Sequence, residues 1–541
     1  MPPVAVTITQ AAVPIATPLV AAVIAATPSL IRQARNGAPT GTNSVLVGAL
    51  LAVFRWVPSV ALVLSTMACV QLPEETTVTA RGFSLTIGPI ERANAIFACG
   101  AGALIALLGA VQHRAISHGI AASIVATSLV IAAFAGDVAR VGAAGVHVSM
   151  MVAAMAMALS DAGGVGAGQS GWRAASAYLT LGSLGLVTVV AGLSLADVLR
   201  VSPGGLVTEA FVIAVLAAGF ALAIGLPPVH FWVPVVAWRP DIGSSTLVLG
   251  LIVPATVGYL VQVLAGVPQL GGAALTSRLL TVGGLVACMV GAMGAASPGR
   301  LGRRVGYAGI AGIGPVLLGL GTGTRIGAAG ALVSLAHHAV CMIALVATAD
   351  AVESEISGPT RTANGKLGGS ASISGPRRTS SALGDADESA PVLLARPEAA
   401  RRLESRTEHQ RGGRRLHRLA FILAAVAASG IPPLGGFASH WAIMQALSLA
   451  DWRLGMAVGI TSLVTLAALL GGAARRSSPV RDQSTGLTAQ RDEPASERKS
   501  SDGGGLLVMY AVVACAWGLI PAWVIDQAWR ATAQLGYLRP F

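Results

Sequence analysis

The sequence predicts an all-α polytopic membrane protein, with about fourteen transmembrane helices in two inverted-topology repeats, each containing a proline-broken helix. Three observations predict it. The 541 residues are 54% hydrophobic and 11% charged, with a mean hydropathy of +0.71, whereas water-soluble chains carry about a quarter charged residues. The apolar residues gather in runs of about 20, the length that crosses a bilayer. Two of those runs are interrupted by prolines, one in each half of the chain: Pro227-Pro228 with Pro234, and Pro432-Pro433.

In order, the spans read 11–31, 44–70, 93–112, 118–136, 141–160, 174–196, 208–228, 245–266, 279–297, 304–321, 326–349, 419–448, 455–474 and 505–528. No basic residue precedes Arg32, so the first run lacks the basic flank of a signal peptide and reads as a retained span. The odd-numbered loops carry Arg32 and Arg35, Arg114, Arg173, Arg239, then Arg300, Arg303 and Arg304, and the two long polar stretches. The even-numbered loops are poorer in arginine. Because basic loops stay cytoplasmic, both termini are expected outside the cell membrane.

The domains follow. Residues 1–136 form N-terminal spans and 137–349 a core that includes the broken helix 208–240. Residues 350–418 form a polar cytoplasmic insert, 419–474 the second broken helix and the span after it, 475–504 a second polar loop, and 505–541 the last span with an external tail. The 350–418 and 475–504 stretches are rich in Ser, Gly and charge and are expected to be disordered.

The formal charge of +12 could suggest nucleic acid. The arginines, however, sit in gaps between apolar runs, with no basic face or stacking aromatics beside them, so nucleic acid is excluded. Cys69, Cys99, Cys288, Cys341 and Cys515 each lie singly in an apolar run. Neither a zinc site nor a thiol redox motif is indicated. No nucleotide, flavin or iron–sulfur motif is present, so no cofactor is expected.

A proline inside a helix removes a hydrogen bond and clashes with the preceding turn, and in lipid the freed carbonyls must be satisfied by protein or water. Each break also brings a histidine and a tryptophan: His230 and Trp232, and His440 and Trp441. The pair reads either as packing kinks at a helix interface or as a transport site.

The segments around these prolines carry a specific resemblance. Pro228-Val229-His230-Phe231-Trp232-Val233-Pro234 resembles the P-F-H-x-W-L-P signature of the antiporter-like membrane subunits of NADH:quinone oxidoreductase, shared with Mrp antiporters and membrane hydrogenases. Gly430-Ile431-Pro432-Pro433-Leu434-Gly435-Gly436-Phe437-Ala438-Ser439-His440-Trp441 is similar to the family's G-I-P-P-L-x-G-F-x-S-K-W. His337-His338-Ala339-Val340-Cys341-Met342 resembles L-x-H-A-x-x-K, and Ala80-Arg81-Gly82-Phe83-Ser84-Leu85 echoes an early strand-like loop. The match runs over roughly residues 80–475.

The resemblance implies a proton route through buried ionisable residues at mid-membrane. The sequence departs from it at nearly every such position. Residues 141–160 contain no acid, and the expected lysines fall on Ala223, Pro254, Met342 and His440. The chain has two lysines, Lys366 and Lys499, both in polar stretches, so a lysine relay is excluded.

The titratable groups left in the spans are His147, His230, His337, His338 and His440. Histidine titrates near neutrality and can shuttle protons. His440 replaces one ionisable group with another beside a break. Neighbours on a helix point about 100° apart, so only one of His337 and His338 can face a conduit, and His338 matches the family position. His230 is expected to cap the broken seventh span, and His147 to be a core residue. Pro227, Pro228, Pro234, Pro432, Pro433, Gly435 and Gly436 mark the breaks.

The expected function is a membrane subunit with proton or cation translocation altered or lost. It would be bound to the bilayer and, through Gly/Ala-rich helix faces, to other subunits of a complex. If that complex is an enzyme, this chain is a non-redox part of it. The alternatives are an autonomous proton or monovalent-cation carrier using His338 and His440, and a membrane partner of a coupled inorganic-ion uptake system.

Overall fold

The computed structural model describes residues 4–5, 8–35, 53–73, 75–80, 83–111, 117–136, 138–160, 168–202, 207–238, 242–356, 415–431, 434, 436–474 and 521–539. Pro432, Pro433 and Gly435, both lysines, and most of the polar stretches 350–418 and 475–504 lie outside them. The chain is a helical membrane protein. Among the described residues nine helices are long and apolar enough to cross a bilayer.

Helices α1 (Ile8–Arg35) and α2 (Val57–Gln71) are followed by a small sheet in which β1 (Val4–Ala5) pairs parallel with β2 (Thr76–Ala80), itself antiparallel to β3 (Phe83–Ile87). This sheet is the strand-like loop expected near residue 80. Then come α3 (Pro89–Val111), α4 (Ser117–Phe134), α5 (Ala139–Ser160) and α6 (Gly168–Val201).

The seventh span is broken into α7 (Glu209–Ile224) and α8 (Trp232–Ala237). Thr208 caps α7 by accepting from the Phe211 amide, and Glu209 lies in the first turn, where a negative charge suits the helix dipole. The helix ends on Gly225, in left-handed geometry at φ 80°, a conformation glycine adopts without steric cost. The Pro227–Pro228 peptide bond that follows is cis.

The eighth span, α9 (Ile242–Gly266), contains a π-turn at Val248–Ile252 just before Pro254. Beyond it lie α10 (Ala274–Ala296), α11 (Leu301–Gly321) and α12 (Arg325–Ile356). The second break separates α13 (415–428) from α14 (Phe437–Ala474). Within α14, Asp451 leaves helical geometry (φ −158°, ψ 112°) and accepts from the Arg453 amide at 2.9 Å, so α14 contains the second part of the expected span 419–448 and the whole of 455–474, the first part of 419–448 being α13. The last helix, α15, is Pro521–Thr532. The fourteenth expected span, 505–528, lies mostly outside the described residues.

Burial sorts the helices. The most apolar window of α9 is 94% buried against 22% for α14, so α9 runs through the middle of the molecule while α14 shows most of its surface to the outside. Close packing uses small residues, as in membrane interiors. A Cβ on Gly284 would meet the Gly314 carbonyl oxygen at 2.7 Å, joining α10 to α11, and one on Gly185 would meet the Gly219 carbonyl at the same distance, joining α6 to α7.

Loops of like parity meet. Arg200 donates to the Gly266 carbonyl at 2.8 Å, and the Ile90 amide donates to Gln534 at 2.9 Å. Arg325 and Arg539 are joined through their backbones at 3.0 Å. The first contact joins loops six and eight, the other two join loops two and ten to the C-terminal tail, and Tyr537 of that tail packs where a Cβ on Gly271 of loop eight would lie, so these loops share one face; the β1–β2 pairing brings the N-terminus there too. On the opposite face the Arg300 guanidinium stacks over Trp238 at 4.8 Å, joining loops seven and nine.

Candidate functional site

Two small cavities lie at the two helix breaks, and His338 and Met342 line both. The first, at the α7–α8 break, is about 10 Å³ and is walled by Ile224, Gly225, Leu249, Val253 and Ile313 besides these two. The second, at the α13–α14 break, is about 30 Å³, and its polar lining is His338, Ser429, His440, Thr461, Ser462 and Thr465. A water needs about 10–15 Å³ on this measure and polar partners besides, so the polar second cavity has room for about two, while the first is at the limit of size and its walls are almost wholly apolar.

The second cavity is shaped by the backbone turn at the break, where the Gly436 carbonyl accepts from the His440 amide at 3.0 Å and from the Ser439 hydroxyl at 2.9 Å. His440 Nδ1 lies 2.9 Å from the Gly436 carbonyl oxygen. A carbonyl only accepts, so Nδ1 carries the hydrogen and Nε2 of the neutral ring is an acceptor. Beneath the ring sits Gly430 at φ 69°, and a Cβ there would fall 2.6 Å from His440 Cγ. Pro315, inside α11, also lines this cavity.

His337 and His338 separate as their helical spacing requires. His337 turns to the second break, its Nε2 3.0 Å from the Ala427 carbonyl and 3.2 Å from Cys341 Sγ. It serves the end of α13. His338 turns to the cavities and packs against Gly312, where a Cβ would run into the imidazole. Of the positions expected to bear lysine, Ala223 is fully buried near the end of α7, Pro254 adjoins the π-turn, and Met342 stands between the two cavities.

The other singled-out groups lie apart. The half-buried His230 has its ring 5.9 Å from Tyr307, and its Nδ1 has no hydrogen-bond partner among the described residues. His147 is half-buried on α5. Arg140, in the first turn of α5, pairs with Asp197 across α5 and α6, both about half exposed. Two features had little signal in the sequence. One is the pairing of Tyr178 with Trp232, both fully buried with ring centroids 4.9 Å apart. The other is the hydroxyl-rich face Thr461, Ser462 and Thr465, which a run of apolar residues disguises. Among the described residues no group of three or more His, Cys, Asp or Glu could hold a metal ion.

Comparison with known proteins bears out the resemblance carried by the proline motifs. Residues 172–367 match the family described as NADH:quinone oxidoreductase/Mrp antiporter, TM. An Na(+)/H(+) antiporter subunit of Alkalihalophilus pseudofirmus is 26% identical over 251 residues, 46% of this chain and 42% of that protein. An NADH-quinone oxidoreductase subunit of Acidithiobacillus ferrooxidans is 30% identical over 183 residues, 28% of this chain and 34% of that protein. The chain thus spans under half the length of either relative. A chain of the Mrp complex from Dietzia sp. superposes with a TM-score of 0.68 at 17% identity, covering 98% of both chains. That likeness is one of fold.

Proposed function

We propose that this chain, with its antiporter-like fold and family segment, is the membrane subunit of a multi-subunit complex of the Mrp or complex I type. Proton handling is reduced in it to the histidine-lined cavity of the second break. The observation that carries the reading is the pair of broken helices meeting at His338, with Ala223, Pro254 and Met342 where amines are expected. A buried lysine can hand on a proton when a neighbouring charge moves. An alanine, a proline and a thioether cannot.

The orientation that loop charge supports puts both termini outside the cell membrane and the 350–418 and 475–504 segments in the cytoplasm. Partner subunits would dock on the exposed helices. Gly283 on α10 and Gly459 and Gly471 on α14 have no atom within 4 Å of a Cβ built there, which leaves room for close helix approach.

The second reading, an autonomous carrier, is favoured by the cavity that His338 and His440 share. Purified protein in liposomes decides between them. Under the subunit reading a pH gradient decays no faster than in empty vesicles, and other membrane proteins co-purify from the native membrane. Under the carrier reading flux is present and His440→Ala abolishes it. Flux from pure protein that survives both His440→Ala and His338→Ala would refute both.

A further inference from the structure

The turn between α10 and α11 carries Arg300, Arg303 and Arg304 at one membrane surface. They do not point the same way. Arg304 is 3% exposed and donates to the Ala468 carbonyl at 2.8 Å, so its charge is turned into the bundle. Arg300 and Arg303 stay outside, each over a ring: the Arg300 guanidinium lies 4.8 Å from the Trp238 centroid, and that of Arg303 5.8 Å from the Tyr307 centroid. Glu353 lies 4.0 Å from Arg300 and accepts from the Gly302 amide at 3.3 Å. Among the described residues no carboxylate pairs with Arg303, so the surplus positive charge sits there.

Glycines draw three helices together beneath these cations. A Cβ on Gly302 would meet the Ala237 carbonyl oxygen at 3.1 Å, and one on Gly306 the Pro234 Cα at 2.7 Å, so α8 lies along the first turns of α11. From α10, a Cβ on Gly294 would run into the Tyr307 ring. Phe231, Val235 and Trp238, spaced four and three, share one side of α8, and all three are exposed, as are Met289 and Met293 on α10. Tyr307 lies seven residues, about 10 Å, below Arg300 along the helix. Going inward from the surface, the order is cations, then aromatic rings, then aliphatic and thioether side chains.

We propose that this patch binds an anionic phospholipid, with its phosphate on Arg300 and Arg303 and its acyl chains along Phe231, Val235, Met289 and Met293. A guanidinium stacked by its face keeps its in-plane N–H groups for a phosphate, which they match two at a time. Tryptophan and tyrosine suit the headgroup level, where one end is wet and the other apolar. A soluble anion would use the arginines and leave the apolar surface beneath them bare, whereas a phospholipid covers both. The inference rests on the position of the α10–α11 turn at a membrane surface. It is independent of the subunit and carrier readings, and holds whether or not the chain conducts protons.

Native mass spectrometry of the purified protein, titrated from micelles with dioleoyl phosphatidylglycerol or dioleoyl phosphatidylcholine, tests it. The unmodified protein should retain a single phosphatidylglycerol in preference to phosphatidylcholine. Arg300→Gln with Arg303→Gln should weaken that binding about thirtyfold, the loss expected of two arginines at a lipid surface. Arg278→Gln with Arg453→Gln removes the same charge from exposed positions on α10 and α14 and should leave it unchanged. Equal affinity for the two lipids in the unmodified protein overturns the proposal whatever the variants do. An equal loss in both double variants reports a diffuse field and overturns the assignment to this patch. Displacement of the lipid by millimolar inorganic phosphate assigns a small-anion site and also overturns it.

Discussion

Gly430→Ala should destabilise the protein and unseat His440 together. At φ 69° the new Cβ pays the left-handed penalty of about 1–2 kcal/mol. It also falls 2.6 Å from His440 Cγ and 2.7 Å from Nδ1, and relieving such an overlap costs about 1–3 kcal/mol. The lower entropy of an unfolded alanine returns about 0.4–1 kcal/mol, so the net loss is about 1–4.6 kcal/mol. Gly459→Ala is the matched control: the residue is helical and no atom lies within 4 Å of its Cβ. That change should be neutral or stabilise by up to about 1 kcal/mol. Both are measured by SDS titration from dodecyl maltoside micelles, following tryptophan fluorescence. In spectra of 15N-histidine-labelled protein, Gly430→Ala alone should shift the His440 resonances as the bond to the Gly436 carbonyl breaks. A Gly430→Ala loss under about 0.5 kcal/mol, or an equal loss in Gly459→Ala, would refute the account of the second break.

Further expectations concern single groups. Met342→Lys puts an amine between the two cavities, and any proton flux in liposomes should rise above that of the unmodified chain; an unchanged rate in a folded variant argues against a route past His338. Asp197→Asn removes the partner of Arg140 and Arg200 but should cost at most about 1 kcal/mol in the same titration, because the pair is half exposed. Tyr537 lies in the tail, beyond the spans, and burial raises its phenol above the ordinary value. Its contribution is therefore present below about pH 10 and lost as the pH rises beyond it, and Tyr537→Phe should flatten that alkaline fall. A lone cysteine at Gly299 should resist an impermeant thiol reagent added outside intact cells, whereas one at Ser202 should react. The opposite pattern reverses the orientation.

The sequence alone determined the class of the molecule and its departures from the family it resembles. Eleven per cent charge in 541 residues cannot cover a soluble surface, and arginine-marked gaps between apolar runs set the spans. That the chain has two lysines, both in polar stretches, is a matter of counting, and the resemblance alone points to 223, 254 and 342 as the positions where lysine is expected. Helical spacing, which is local, showed that only one of His337 and His338 can face a conduit, and the resemblance singled out His338. The place where these residues meet was beyond that kind of reading. Ala223, Leu249, His338 and His440 lie on four different helices, and nothing in a hydropathy pattern says which helices touch. Only packing shows that Met342 separates two cavities. The hydroxyl face of Thr461 and Thr465 acquires meaning for the same reason: a hydroxyl is ordinary in water and consequential only when the fold buries it beside a partner.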